Sequence, residues 1–118
     1  MARILVVEDH EDSRVGLALW LQIVGHTVEA SSDGLSALAV ARARPPEIAI
    51  IDIGLPGLSG WEVAKRLREA FGRRIGLLAL TSLQSAADRA RSLQAGFDVH
   101  LVKPAQGEDL FRAIAPFC

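Results

Sequence analysis

The stretch Glu47-Ile48-Ala49-Ile50-Ile51-Asp52 (EIAIID) decides the fold. Its four central residues are apolar without a polar interruption, as expected of a strand covered on both faces and therefore lying inside a parallel sheet. It ends abruptly in a carboxylate. Pro45-Pro46 precede it and stop a helical pattern over Gly34–Ala43 that carries Leu35 and Leu38. After it, a Gly- and Pro-containing turn (53–58) leads to an amphipathic run over Ser59–Phe71. There Val63, Leu67 and Phe71 share one helical face, Ser59 with Glu62 has the spacing of a capping box, and Gly72 ends the run.

Moving outward, the same alternation recurs. Arg3–Val7 (RILVV) is a strand followed at once by Glu8-Asp9, and Thr27–Ala30 is a weaker second strand. Between them Asp12–Gly25 places Val15, Leu19, Gln22 and Ile23 at helical spacing behind an Asp12/Ser13 cap. Ile75–Leu80 is the fourth strand, Ser85–Ala95 a helix stopped by Gly96, Asp98–Val102 the fifth strand, and Gly107–Ala115 a last short helix. Five strands alternating with five helices predict an α/β fold whose mostly parallel sheet is covered on both faces. Strands one, three, four and five read as runs buried on both sides.

The 118 residues suffice for one domain with one core, so residues 1–118 are expected to form a single unit. A formal net charge of −1, with 13 basic and 14 acidic residues dispersed along the chain, gives no electrostatic case for nucleic acid or an anionic membrane. The lone cysteine, Cys118, cannot staple the fold. The Gly16–Gly25 apolar stretch is about half a membrane span, and the N-terminal run is too short for a signal peptide. A cytoplasmic location is the expectation.

The polar residues that end the apolar strands are Glu8-Asp9, Asp52, Thr81-Ser82 and Lys103-Pro104. In a parallel sheet these ends share one edge, where open α/β sheets bind ligands. Three converging carboxylates repel, at about 4 kcal/mol for a pair roughly 4 Å apart at an effective dielectric near 20. One lysine offsets part of this, and a hard divalent cation with oxygen ligands is the natural complement. Mg²⁺ fits because it keeps waters and shares its sphere with phosphate. Protonated or water-bridged carboxylates are the alternative. With a metal present, Asp52 can serve as a carboxylate nucleophile, Lys103 can neutralise phosphoryl oxygens and Thr81 can hydrogen-bond one of them.

These motifs together, Ile4–Asp9 (ILVVED), Ile50–Gly60 (IIDIGLPGLSG), Leu80-Thr81 and Leu101–Pro104 (LVKP), closely resemble the receiver domains of two-component response regulators over essentially the whole chain. The resemblance implies a flavodoxin-like (βα)5 sandwich with strand order 2-1-3-4-5. It implies that Glu8, Asp9, Asp52 and the backbone carbonyl of Gly54 hold Mg²⁺, and that Asp52 becomes a 4-aspartylphosphate. Thr81 would close onto the phosphoryl group, Lys103 would pair with it, and the Lys103–Pro104 bond would be cis. Pro56 and Gly60 match the family's turn and helix-start residues. The donor would be a sensor histidine kinase or a histidine phosphotransfer protein, and the chain a phosphoacceptor switch rather than a turnover enzyme.

Departures from the family pattern are informative. His100 stands where many members carry a Tyr or Phe switch residue, and either a swinging imidazole or a simply packed one fits. Gly54 leaves nothing beside the acceptor, and Leu83 is its apolar neighbour on the other side; these positions tune acyl-phosphate lifetime in similar proteins. His10 and His26 lack metal-ligand spacing. Glu11 and Asp12 read as helix-start charges. Trp20 and Trp61 read as covering residues, Trp61 near enough to the site to report on it. A haloacid-dehalogenase-type phosphatase would need an Asp two residues after a first-strand nucleophile, where Glu11 stands, and the acidic loop 9–13 (DHEDS) would repel a flavin phosphate. Only 15 residues follow Lys103, so an attached effector domain is not expected within the chain, and the Gly54 and HLVKP variants look similar to receivers fused to hybrid sensor kinases. The expected working face runs over Ala86–Ala95 and His100–Ala115.

Overall fold

The computed structural model describes residues 1–105 and 107–118; Gln106, inside the expected working face, lies outside the described residues. Strands β1 (Arg3–Val7), β2 (Thr27–Ser31), β3 (Ile48–Ile51), β4 (Gly76–Thr81) and β5 (Val99–Val102) alternate with helices α1 (Glu11–Ile23), α2 (Gly34–Ala43), α3 (Gly60–Phe71), α4 (Ala86–Ala95) and α5 (Gly107–Ile114). All pairings are parallel and the order is β2-β1-β3-β4-β5. The expected architecture is therefore the observed one.

Alternate residues of each central strand feed opposite cores. Leu5, Val7, Ala49, Ile51, Leu77 and Ala79 pack with Ala37 and Leu38 of α2 and Val63, Ala64 and Leu67 of α3. On the other face Ile4, Val6, Ile48, Ile50 and Leu78 pack with Leu21 of α1 and Ile114 of α5, flanked by Leu17 and Trp20. Strands β1 and β3 are buried almost throughout because a neighbour lies on each side and helices lie above and below. Strand β5 corrects the sequence expectation. All four of its residues are only half-buried, because it is an edge strand and the cover of both faces thins toward the edge.

Helix α1 supplies two further corrections. Its first residue is Glu11, and the cap is His10, whose Nδ1 accepts the Ser13 N–H at 3.4 Å; neither Asp12 nor Ser13 caps it. The face carrying Val15, Leu19 and Ile23 points to solvent, with exposures of 56%, 54% and 74%, while Leu17, Trp20 and Leu21 face the sheet. Both stripes are apolar at helical spacing. The inward stripe joins the core on this face of the sheet, where the Trp20 ring also fits against Gly107 at the start of α5.

Serine caps start α3 and α4. Ser59 accepts the Glu62 N–H at 3.3 Å, but the Glu62 carboxylate takes Arg66 instead of completing the expected box. The reciprocal box forms one helix later, between Ser85 and Asp88. Gly96 ends α4 in the left-handed region at φ 111°, a conformation that costs a residue with a Cβ on the order of 1 kcal/mol.

Candidate functional site

The carboxyl ends of β1, β3, β4 and β5 meet at one edge, and ladder bonds beyond the strand ends hold the polar residues there. The Asp52 N–H donates to Val7 O at 2.9 Å, and the Lys103 N–H to Thr81 O at 2.8 Å. Asp52 therefore stays in register one residue past β3, between the chain ends that carry Glu8 and Thr81. Behind it, Gly60 N–H donates to Ile53 O at 3.0 Å. A Cβ at Gly60 would lie 2.4 Å from the Asp52 carbonyl oxygen, so only glycine lets α3 begin this close to the Asp52 backbone.

Oxygens of Glu8, Asp9 and Asp52 all lie within 4.8 Å of one another. Against three carboxylates stands one ammonium. Lys103 Nζ bonds Glu8 Oε1 in a short contact and reaches Asp52 Oδ2 at 3.3 Å. The remaining bonds come from the backbone: His10 N–H to Glu8 Oε2 at 3.2 Å and Gly54 N–H to Asp52 Oδ1 at 3.2 Å. Arg14 turns to the carbonyl oxygens of Glu8 and Asp9, not to their carboxylates. Among the described residues no hydrogen bond or ion pair reaches the exposed Asp9 carboxylate.

Burial pushes the Glu8 carboxyl above its ordinary value and the Asp52 charge pushes it the same way, against the opposing pull of the Lys103 bond. For Lys103, burial works downward, yet the Glu8 bond and the charges of Asp52 and Glu8 outweigh it and hold the ammonium above its ordinary value. Glu8 is thus raised chiefly by its burial, and Lys103 by its carboxylate partners.

Known proteins match this chain over nearly its whole length. The response regulator receiver domain model matches residues 4–115. The chain belongs to that family. Response regulator MprA of Mycobacterium ulcerans is 38% identical over 108 residues, covering 92% of this chain and 46% of that protein. The transcriptional regulatory protein AfsQ1 of Streptomyces coelicolor is 33% identical over 110 residues, covering 93% of this chain and 48% of its own length. The chain thus spans about half the length of these relatives. Chemotaxis protein CheY4 of Vibrio cholerae matches the whole chain with a TM-score of 0.93 at 29% identity, covering 99% of that structure. This receiver domain works in two-component phosphorelay signalling, in a family whose members are generally phosphoacceptor switches. No helix among its described residues is long and apolar enough to cross a membrane.

The receiver brings every strand-end residue singled out in its sequence to this edge. Thr81 is buried at 1% exposure, its Oγ1 accepting the Leu83 N–H at 3.3 Å. The Lys103–Pro104 peptide bond is cis. A Cβ at Gly54 would stand 4.0 Å from Asp52 Oδ1, so the glycine leaves the space beside that oxygen open. His100 lies outside the carboxylate cluster and is hydrogen-bonded on both ring nitrogens, to Ser92 Oγ and to Leu83 O, each at 2.8 Å. Trp61 bonds Ser92 at 3.0 Å.

Sequence reasoning missed Ser92 and the capping role of His10. A serine inside a helix carries no periodic signal, and a histidine cap is outside the usual cap residues.

Proposed function

We propose that Asp52 of this receiver is the phosphoacceptor, taking its phosphoryl group from the phosphohistidine of a sensor histidine kinase or a histidine phosphotransfer protein. The observation that carries this reading is the meeting of three carboxylates, two of them paired with one lysine, at the strand-order reversal. An Asp52 oxygen attacks phosphorus, the donor's P–N bond breaks, and the departing imidazole takes up a proton. Asp52 Oδ1 is the oxygen on the open side beside Gly54. Lys103, already bridging Glu8 and Asp52, pairs with phosphoryl oxygens as they arrive. The Thr81 hydroxyl accepts from Leu83 N–H, which leaves its hydrogen available to a phosphoryl oxygen.

Receiver domains bind Mg²⁺ at an acidic pocket, and the donor set fits that ion: hard oxygens only, with more negative charge than one lysine balances. Glu8, Asp9, Asp52 and the Gly54 carbonyl would hold it. Bound there, it supplies charge neutralisation for the carboxylates and the transferred group. Residues 1–118 act as one switch domain of cytoplasmic two-component signalling, not as a turnover enzyme. Thr81 and His100 carry the change to a protein-interaction face built from α4, β5 and α5, with no role in binding nucleic acid.

Intact-mass spectrometry after incubation with acetyl phosphate and Mg²⁺ tests this. One phosphoryl adduct is expected, lost when EDTA is added to the reaction and absent in Asp52→Asn. An adduct that persists in Asp52→Asn would displace Asp52 from the role, and no adduct together with no beryllofluoride binding would leave a docking module.

A further inference from the structure

Four groups away from the carboxylates form one continuous hydrogen-bonded chain. Trp61 Nε1 at the start of α3 meets Ser92 Oγ on α4 at 3.0 Å, Ser92 Oγ meets His100 Nδ1 on β5 at 2.8 Å, and His100 Nε2 meets Leu83 O at 2.8 Å. Leu83 N–H in turn donates to Thr81 Oγ1 at 3.3 Å. The order of hydrogens along the chain follows from the end groups. An indole nitrogen only donates and a peptide carbonyl only accepts. Hence Nε2 of His100 carries a hydrogen and Ser92 accepts from Trp61; in the Nε2–H tautomer the Ser92 hydroxyl donates to Nδ1.

Ser92 is fully buried, and every polar atom it meets is thereby satisfied. A serine in mid-helix commonly turns its hydroxyl back to the carbonyl four residues earlier. Here the hydroxyl is directed across to two other elements. Beside it, Arg91 stacks on the same indole at 4.0 Å from the ring centroid, which adds a second tie between α3 and α4.

We infer that Ser92 is a positioning residue for the switch: it holds His100 inward and in its Nε2–H form, so that the Leu83 loop, Thr81, α4 and the start of α3 are restrained together. This rests on the proposed role of Thr81 in receiving the phosphoryl group. Its physical content is preorganisation. With His100 anchored at both nitrogens, the Thr81 loop does not have to be ordered when a phosphoryl group arrives. Without Ser92, the Trp61 indole N–H and His100 Nδ1, both on half-buried residues, lose their partner, and His100 is left with one anchor.

The test uses the full chain, with ring-nitrogen and indole signals read by NMR and affinity read with beryllofluoride and Mg²⁺. Ser92→Ala is expected to remove the single-tautomer signature of His100, to move the Trp61 indole N–H signal, and to weaken beryllofluoride binding by about three- to tenfold. In a His100→Phe background the same substitution is expected to change affinity by less than about 1.5-fold, because the path from Ser92 to Thr81 is already cut. Equal effects in both backgrounds, or an unchanged His100 tautomer in Ser92→Ala, would overturn the inference. Ser92→Cys, similar in size and a weaker donor, gives a smaller change in the same direction if the alanine variant does not fold. A wild type that binds no beryllofluoride would defeat the phosphoacceptor reading, while the resting-state tautomer and indole signals would still decide the role of Ser92.

Discussion

The two ends of the sheet each hold an aspartate beside a cation, with opposite outcomes. At the N-terminal edge Arg68 of α3 donates to Gly72 O, Ile75 O and Gly96 O and to Asp98 Oδ2 at 2.9 Å, and the same carboxylate oxygen accepts Leu77 N–H at 2.9 Å. Every nitrogen of that guanidinium has an acceptor. At the C-terminal edge one lysine serves Glu8 and Asp52, and Asp9 is left to solvent. The first cluster closes on itself and holds α3, β4 and β5 together. The second leaves three carboxylates close together with one lysine among the described residues.

This contrast predicts a ranked series of effects. Arg68→Ala should cost about 2–3 kcal/mol by chemical denaturation, since it strips a largely buried carboxylate and three carbonyls of their donor, while the Mg²⁺ response of the site stays intact. A loss of Mg²⁺ response would show the two ends to be coupled. Asp9→Asn should act in the opposite sense, raising metal-free stability by about 1 kcal/mol through relief of repulsion. Mg²⁺ is expected to raise the Tm of the wild type, and the same variant should lose that rise. An unchanged Mg²⁺ response would remove Asp9 from the site.

Glu8 sharpens the comparison through pH. Its folded carboxyl sits above its ordinary value of 4.5, so the folded chain binds this proton more readily than the unfolded one. The Glu8 contribution to stability is therefore fully present below 4.5 and is lost as pH rises through the folded value. In EDTA, stability of the wild type minus that of Glu8→Gln should fall as pH rises above 4.5; a flat difference would contradict the raised Glu8 carboxyl. Lys103, also raised, should keep its contribution until pH exceeds its ordinary 10.5. The smallest effect belongs to Arg73→Ala. Its guanidinium approaches Asp98 at 3.8 Å but is 90% exposed, so no loss beyond about 0.3 kcal/mol is expected by thermal denaturation.

Much of this was legible along the chain, because local periodicity reports burial and a polar residue closing an apolar run reports a strand end. Glu8, Asp9, Asp52, Thr81 and Lys103 could be placed on one edge from those facts with parallel topology, and the order of the strands came with the family resemblance. The exceptions have specific causes. A helix with two apolar stripes does not announce which faces inward, and Val15, Leu19 and Ile23 lost to Leu17, Trp20 and Leu21 once the helix packed on the sheet core, whose other strands are distant in sequence. Nor does a capping spacing say whether the acid will turn back to its cap or to a nearby arginine, as Glu62 does.

From its own residues this sequence determined the alternation of strands and helices and the polar residues gathered at the strand ends, the β3 carboxylate among them, since each depends on residue type and short-range order. Tertiary structure alone decided that β5 is half-exposed, that His10 is a cap, and that His100 is tied through Ser92 to Trp61 and through Leu83 to the Thr81 loop. Those outcomes depend on which groups meet across long sequence separations, where hydrogen-bond donors find acceptors only after the layers have packed.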